Sequence, residues 1–148
     1  MDGMIKELKL YWNRITKSVY QYDIDYFEMK HFLEKKFPEC YVVVTDLHKK
    51  TCNYEMLKNL VKLLPIKNHK YKKETFDCED FSFEALGLIK FLFPRLAIGL
   101  CLCDVRGGKH ATLCAVTRTA RGRLSFTFVE PQNNKVFYTN WKPTLILI

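Results

Sequence analysis

Residues 96–139 read LAIGLCLCDVRGGKHATLCAVTRTARGRLSFTFVEPQNNKVFYT, and this stretch decides the fold. It holds four runs of apolar, β-branched and aromatic residues, at about 96–104, 110–118, 123–130 and 135–139. Turn signals part them: Arg106-Gly107-Gly108, Ala120-Arg121-Gly122 and Pro131-Gln132-Asn133-Asn134. Strand-length runs joined by short Gly- and Asn-containing turns predict an antiparallel meander. Just upstream, Phe81, Ala85, Leu88, Ile89 and Leu92 recur at helical spacing, so 77–93 reads as a helix closed by Pro94.

Further upstream, Tyr41-Val42-Val43-Val44 reads as a short buried strand. Thr51 or Asn53 caps a helix whose apolar positions are Met56, Leu57, Leu60, Val61 and Leu64, and Pro65 ends it. Residues 66–76 are polar and basic, as in a loop. Two helices precede all this. Ile5, Leu8, Tyr11, Trp12, Ile15 and Val19 define one over 5–20, and Ile24, Phe27, Phe32 and Leu33 define another over 24–36. The expected fold class is α+β, with N-terminal helices and a central helix packed as a layer on an antiparallel sheet of about four to five strands. The 148 residues make one domain, with 1–40 as a helical extension and 41–148 as the core. The apolar tail Leu145-Ile146-Leu147-Ile148 could add a strand to the sheet or sit in a dimer interface, and it is expected to tuck into its own domain.

Composition narrows the class. Aromatic residues at 14% exclude a disordered chain, and 6 Gly with 5 Pro exclude collagen-like and low-complexity types. No apolar run approaches the ~20 residues of a membrane span. The net charge of +8 reads first as lysines on solvated faces and second as attraction to an acidic or polyanionic partner, and no Arg-rich block marks a nucleic-acid surface. A start of Met1-Asp2-Gly3-Met4 without a signal-peptide pattern makes a cytoplasmic location the expectation, with all six cysteines reduced. No Cys-x-x-Cys pair exists, and Asp77, Glu79, Asp80 and Asp104 lack calcium-loop spacing. No metal or other cofactor is therefore expected.

Three residues stand where chemistry could use them. Cys78 opens the central helix, where backbone N–H groups favour a thiolate, although Asp77, Glu79 and Asp80 oppose it. By position alone it reads as a structural thiol. His110 begins a strand behind Gly107-Gly108-Lys109, and Glu130 ends the next one. If 118 pairs with 122, then 110 pairs with 130, and the carboxylate can orient the imidazole. A slip of one residue would break that pairing. Thiol, imidazole and acid in this order supply a nucleophile, a base and an orienter.

The segments Phe76-Asp77-Cys78-Glu79-Asp80-Phe81, Gly108-Lys109-His110-Ala111 and Val129-Glu130-Pro131-Gln132 extend the pattern. Over about 41–138 the chain resembles a papain-like, transglutaminase-like family of cysteine proteases. These are small phage and bacterial proteins similar to the C-terminal protease domain of a mushroom agglutinin. The resemblance implies Cys78 as nucleophile, His110 as base and Glu130 as orienter. The backbone N–H of Cys78, together with Tyr71, Lys72 or Lys73, would serve the oxyanion, with Gln132 as a further substrate contact. The position six residues before Cys78, where such enzymes carry Gln, holds Lys72. Two readings follow. One is a thiol hydrolase cleaving peptide, isopeptide or amide bonds in a protein or peptide substrate, with amide transfer as a variant. The alternative is a papain-like fold without activity that binds a host protein or nucleic acid.

Overall fold

The computed structural model describes residues 19–148. The expected helix over 5–20 lies almost wholly outside them. The elements run in the order β1 (Tyr22–Asp25), α1 (Tyr26–Lys36), β2 (Tyr41–Val43), β3 (His48–Thr51) and α2 (Tyr54–Lys62). A 3₁₀ turn (Pro65–Asn68) leads to α3 (Cys78–Leu92). Then come β4 (Ile98–Val105), β5 (Gly108–Arg118), β6 (Leu124–Glu130), β7 (Lys135–Phe137) and β8 (Lys142–Leu147).

The α+β class holds, with a larger sheet than expected. Six strands are ordered β2-β8-β4-β5-β6-β7, and β1 and β3 form a separate antiparallel pair. The meander β4 to β7 is antiparallel throughout. The last strand, β8, inserts between β2 and β4, parallel to the first and antiparallel to the second. The apolar tail therefore becomes an interior strand of the sheet.

A single layer pair is also too few. Alternate residues of β4 and β5 face opposite ways, and both faces are buried. Ile98, Leu100, Leu113 and Ala115 pack with α2 and α3 through Leu57, Leu60, Val61, Phe81, Ala85 and Ile89. Cys101, Cys103, Cys114 and Val116 pack on the other face with Met29 and Leu33 of α1, Phe126, Phe128 and Ile146. Burial on both faces explains why these strands read as continuous apolar runs.

Gly99 marks a close approach between strands. A Cβ there would fall against the carbonyl oxygen of Leu147 and 2.7 Å from the Cα of Ile148. Only glycine lets β8 lie this near β4.

The expected helix over 24–36 starts two residues late. Ile24 pairs with Lys49 in the β1–β3 ladder, and Asp25 caps α1 by accepting a hydrogen bond from Glu28 N at 2.9 Å. Phe27, expected on the apolar side, is 77% exposed, while Met29 is buried instead. The short β1 and β3 were invisible in sequence because four residues carry too little periodicity. Asn53, not Thr51, caps α2, accepting from Met56 N at 2.8 Å, and Thr51 closes β3.

Candidate functional site

The β5–β6 register places Leu113 opposite Val129 and Thr117 opposite Ser125. The expected register set 110 opposite 130, so the observed ladder is offset by two residues. The reason lies in the turn: Thr119 N donates to Arg123 O, and Gly122 takes a φ of 78°, so the loop closes later than expected. An offset of two keeps every side chain on its face, since strand side chains repeat every two residues. His110 and Glu130 thus still meet. His110 Nε2 lies 2.6 Å from Glu130 Oε2, and both side chains are largely buried.

Glu130 is itself held. Its other oxygen accepts from Gln132 N at 3.2 Å, a contact made by the turn after β6. Next to the pair, Thr112 donates its hydroxyl to Val129 O at 2.6 Å in the buried interior. The carboxylate fixes the imidazole in one orientation.

The imidazole meets Trp141 in a T-shaped contact, with ring centroids 5.3 Å apart and planes at 79°. Trp141 also makes edge contacts with Phe128 at 5.6 Å and Phe137 at 5.3 Å. T-shaped contacts with three rings hold the indole in place.

Beyond Trp141 opens a cleft of about 420 Å³. It lies between the end of α1 and the segment joining β7 to β8. Phe37, Phe126, Phe128 and Tyr138 give it apolar walls, and Glu39, Thr139, Asn140 and Lys142 give it polar ones. That combination is the usual make-up of a small-ligand site. Sequence reasoning passed over Trp141, Tyr138 and Asn140. The signal was there in Tyr138-Thr139-Asn140-Trp141, where aromatic and polar residues interleave just past the last meander strand.

The other expected site residues are placed as follows. Cys78 is the first residue of α3 and is half-buried, and among the described residues no hydrogen bond reaches its thiol. The acids around it have a structural use. Asp77 N donates to Asp80 Oδ2 at 3.1 Å, and Asp77 Oδ1 accepts from Glu79 N at 3.2 Å, closing a capping box. Lys72, Lys73 and Glu74 form a tight turn in which Lys72 bridges Phe76, with Tyr71 exposed beside it. All six cysteines are free. Among the described residues, no three His, Cys, Asp or Glu side chains are grouped to hold a metal ion, and no helix is long and apolar enough to cross a membrane.

No family model matches this chain, and no curated protein does. Solved structures do. One, described as a PSL1a-E64 complex, superposes with a TM-score of 0.72 at 20% identity, over 87% of this chain and 51% of that one. Another is Polyporus squamosus lectin bound to the human-type influenza-binding epitope Neu5Acα2-6Galβ1-4GlcNAc. It gives a TM-score of 0.70 at 20% identity, over 87% of this chain and 50% of the lectin. The chain thus spans about half the length of each, and at this identity the likeness is one of fold. These matches correct the expectation drawn from the short motifs. The expected membership of a papain-like cysteine-protease family, and with it the thiol-hydrolase and catalytic-triad reading, gives way to a fold shared with a lectin.

Proposed function

We propose that the chain is a carbohydrate-binding module whose ligand lies in the cleft beside Trp141. The observation that carries this reading is the braced indole at the mouth of a cleft that also offers Asn140, Thr139, Glu39 and Lys142. A sugar ring presents an apolar face and a rim of hydroxyls. An aromatic wall suits the first, and amide, hydroxyl and charged groups suit the second. The shared fold with a lectin supports the same class of ligand. In this reading His110 and Glu130 are positioning residues: Glu130 fixes the imidazole, and the imidazole supports Trp141. The basic charge of the chain favours an acidic sugar over a neutral one.

Isothermal titration of the native chain with Neu5Acα2-6Galβ1-4GlcNAc and with its asialo form tests the proposal. Binding of either is expected, tighter for the sialylated form, with Trp141→Ala weakening it at least tenfold. Absence of binding to both, or unchanged affinity in Trp141→Ala, overturns it.

A further inference from the structure

Three charged side chains line the cleft beside Trp141. Lys36, the last residue of α1, and Lys142, the first of β8, come from its two walls, and Glu39 stands on the wall of Lys36. Lys36 Nζ lies over the Phe37 ring, 5.7 Å from its centroid. Phe37 in turn meets Phe126 in a T-shaped contact at 4.8 Å, and both rings belong to the apolar wall. An ammonium resting on an aromatic face keeps its charge while its stem loses freedom. Lys142 stands opposite Asp104 in the β4–β8 ladder, but Asp104 is held by Lys109. Among the described residues no carboxylate is in ion-pair contact with Lys36 or Lys142, and no cation is in ion-pair contact with Glu39.

Two ammonium groups against one carboxylate leave a single positive charge unbalanced in the cleft. Charges that share a cleft with apolar walls act on a ligand more strongly than they would across open water. One negative charge on the ligand restores the balance, and a second would face Glu39. Helix chemistry alone does not account for Lys36. Lys35 and Lys36 both stand in the last turn of α1, where cations suit the negative end of the helix dipole, and Lys35 meets that need from outside the cleft lining.

We infer, resting on the carbohydrate reading of this cleft, that Lys36 and Lys142 are its specificity-determining residues and that they select a sugar bearing one negative charge. The acid group of the ligand lies between the two ammonium groups. Its ring lies against the aromatic wall. Glu39 accepts from a sugar hydroxyl and turns away a ligand with a second negative charge.

Calorimetric titration with the sialylated glycan and its asialo form, on the native chain and on single variants, provides the test. Lys36→Met and Lys142→Met should each weaken the sialylated glycan about threefold and leave the asialo form unchanged. Glu39→Gln keeps a hydrogen-bonding group and loses the charge, so it should tighten the sialylated glycan about twofold. Lys35→Met removes the same charge from the same helix end and should change neither. Raising the salt to ~0.5 M should shrink every one of these differences. Native binding of both glycans with equal affinity overturns the inference and leaves the carbohydrate reading standing. So does a loss in Lys35→Met as large as in Lys36→Met, since the effect is then one of overall charge. Lysine variants that weaken both glycans alike, or a Glu39→Gln affinity no higher than native, overturn it as well. Binding of neither glycan by the native chain removes the carbohydrate reading, and this inference with it.

Discussion

Raising the pH from about 8 to about 10 should destabilise this protein, and the size of the effect follows from its buried thiols. Cys52 is pushed up to about 12 by burial, from an ordinary value of 9.0. The contact with Cys103 lowers the Cys101 thiol, but the contact with Cys114 and burial outweigh it, so Cys101 stays well above its usual range. Cys103 is held up by Cys101, whose sulfur is 3.3 Å away, and by burial. In the folded chain all three stay protonated through this window, whereas in the unfolded chain they ionise. The folded state thus holds more protons, and stability is full below the unfolded value and falls as pH rises above it. Each thiol removes about 1.4 kcal/mol by pH ~10, so the three together remove about 4 kcal/mol. Lys90 works in the opposite direction. Its amine is already neutral in the folded chain above about 8, while the unfolded lysine still holds its proton. That returns about 2 kcal/mol across the same window, leaving a net loss of about 2 kcal/mol. Urea unfolding followed by circular dichroism, under reductant at both pH values, measures it. In Lys90→Met the opposing contribution is gone, so the loss should approach about 4 kcal/mol. A native chain equally or more stable at the higher pH refutes the reasoning, as does a Lys90→Met variant whose loss is no steeper.

Three further substitutions probe the frame that holds the cleft. Gly99→Ala drives a methyl into the backbone of Leu147 and Ile148, and should cost about 2 kcal/mol or more in urea unfolding, with β8 amides losing hydrogen-exchange protection first. Asp77→Ala removes the capping box of α3 and should cost about 1 kcal/mol, read as a lower thermal midpoint. Asn134→Ala loses the bond from its amide to Leu64 O at 2.6 Å and leaves alanine at a φ of 54°, for about 2–3 kcal/mol in the same assay.

The meander and the central helix were legible because each rests on local chemistry. Pro94 stops α3, Asp77 starts it, and glycine turns divide the strands. The β5–β6 offset was not legible, since it depends on how Thr119 and Arg123 close their loop. The face of each side chain survived that error, and so the contact between His110 and Glu130 did too. The short motifs around Cys78, His110 and Glu130 pointed to a protease family that the solved structures do not support. By position Cys78 read as a structural thiol, and only the resemblance made it a nucleophile; the acids beside it satisfy the first backbone N–H groups of the helix. The cleft depended on Phe37, Phe126 and Trp141, which are distant in sequence and meet only after the sheet is built.

The position of β8 has a kinetic meaning. The sheet cannot become continuous until residues 142–147 enter between β2 and β4, because among the described residues β2 has no other partner strand in it. The bond from Thr45 to Ile148 O spans 103 positions of chain, and it is among the contacts this step makes. Closing so long a loop costs entropy before the pairing repays it. The meander β4 to β7 joins neighbours in sequence and can assemble early. The chain should therefore fold in two stages, with the meander and α3 protected from hydrogen exchange first and β2 and β8 gaining protection together afterwards.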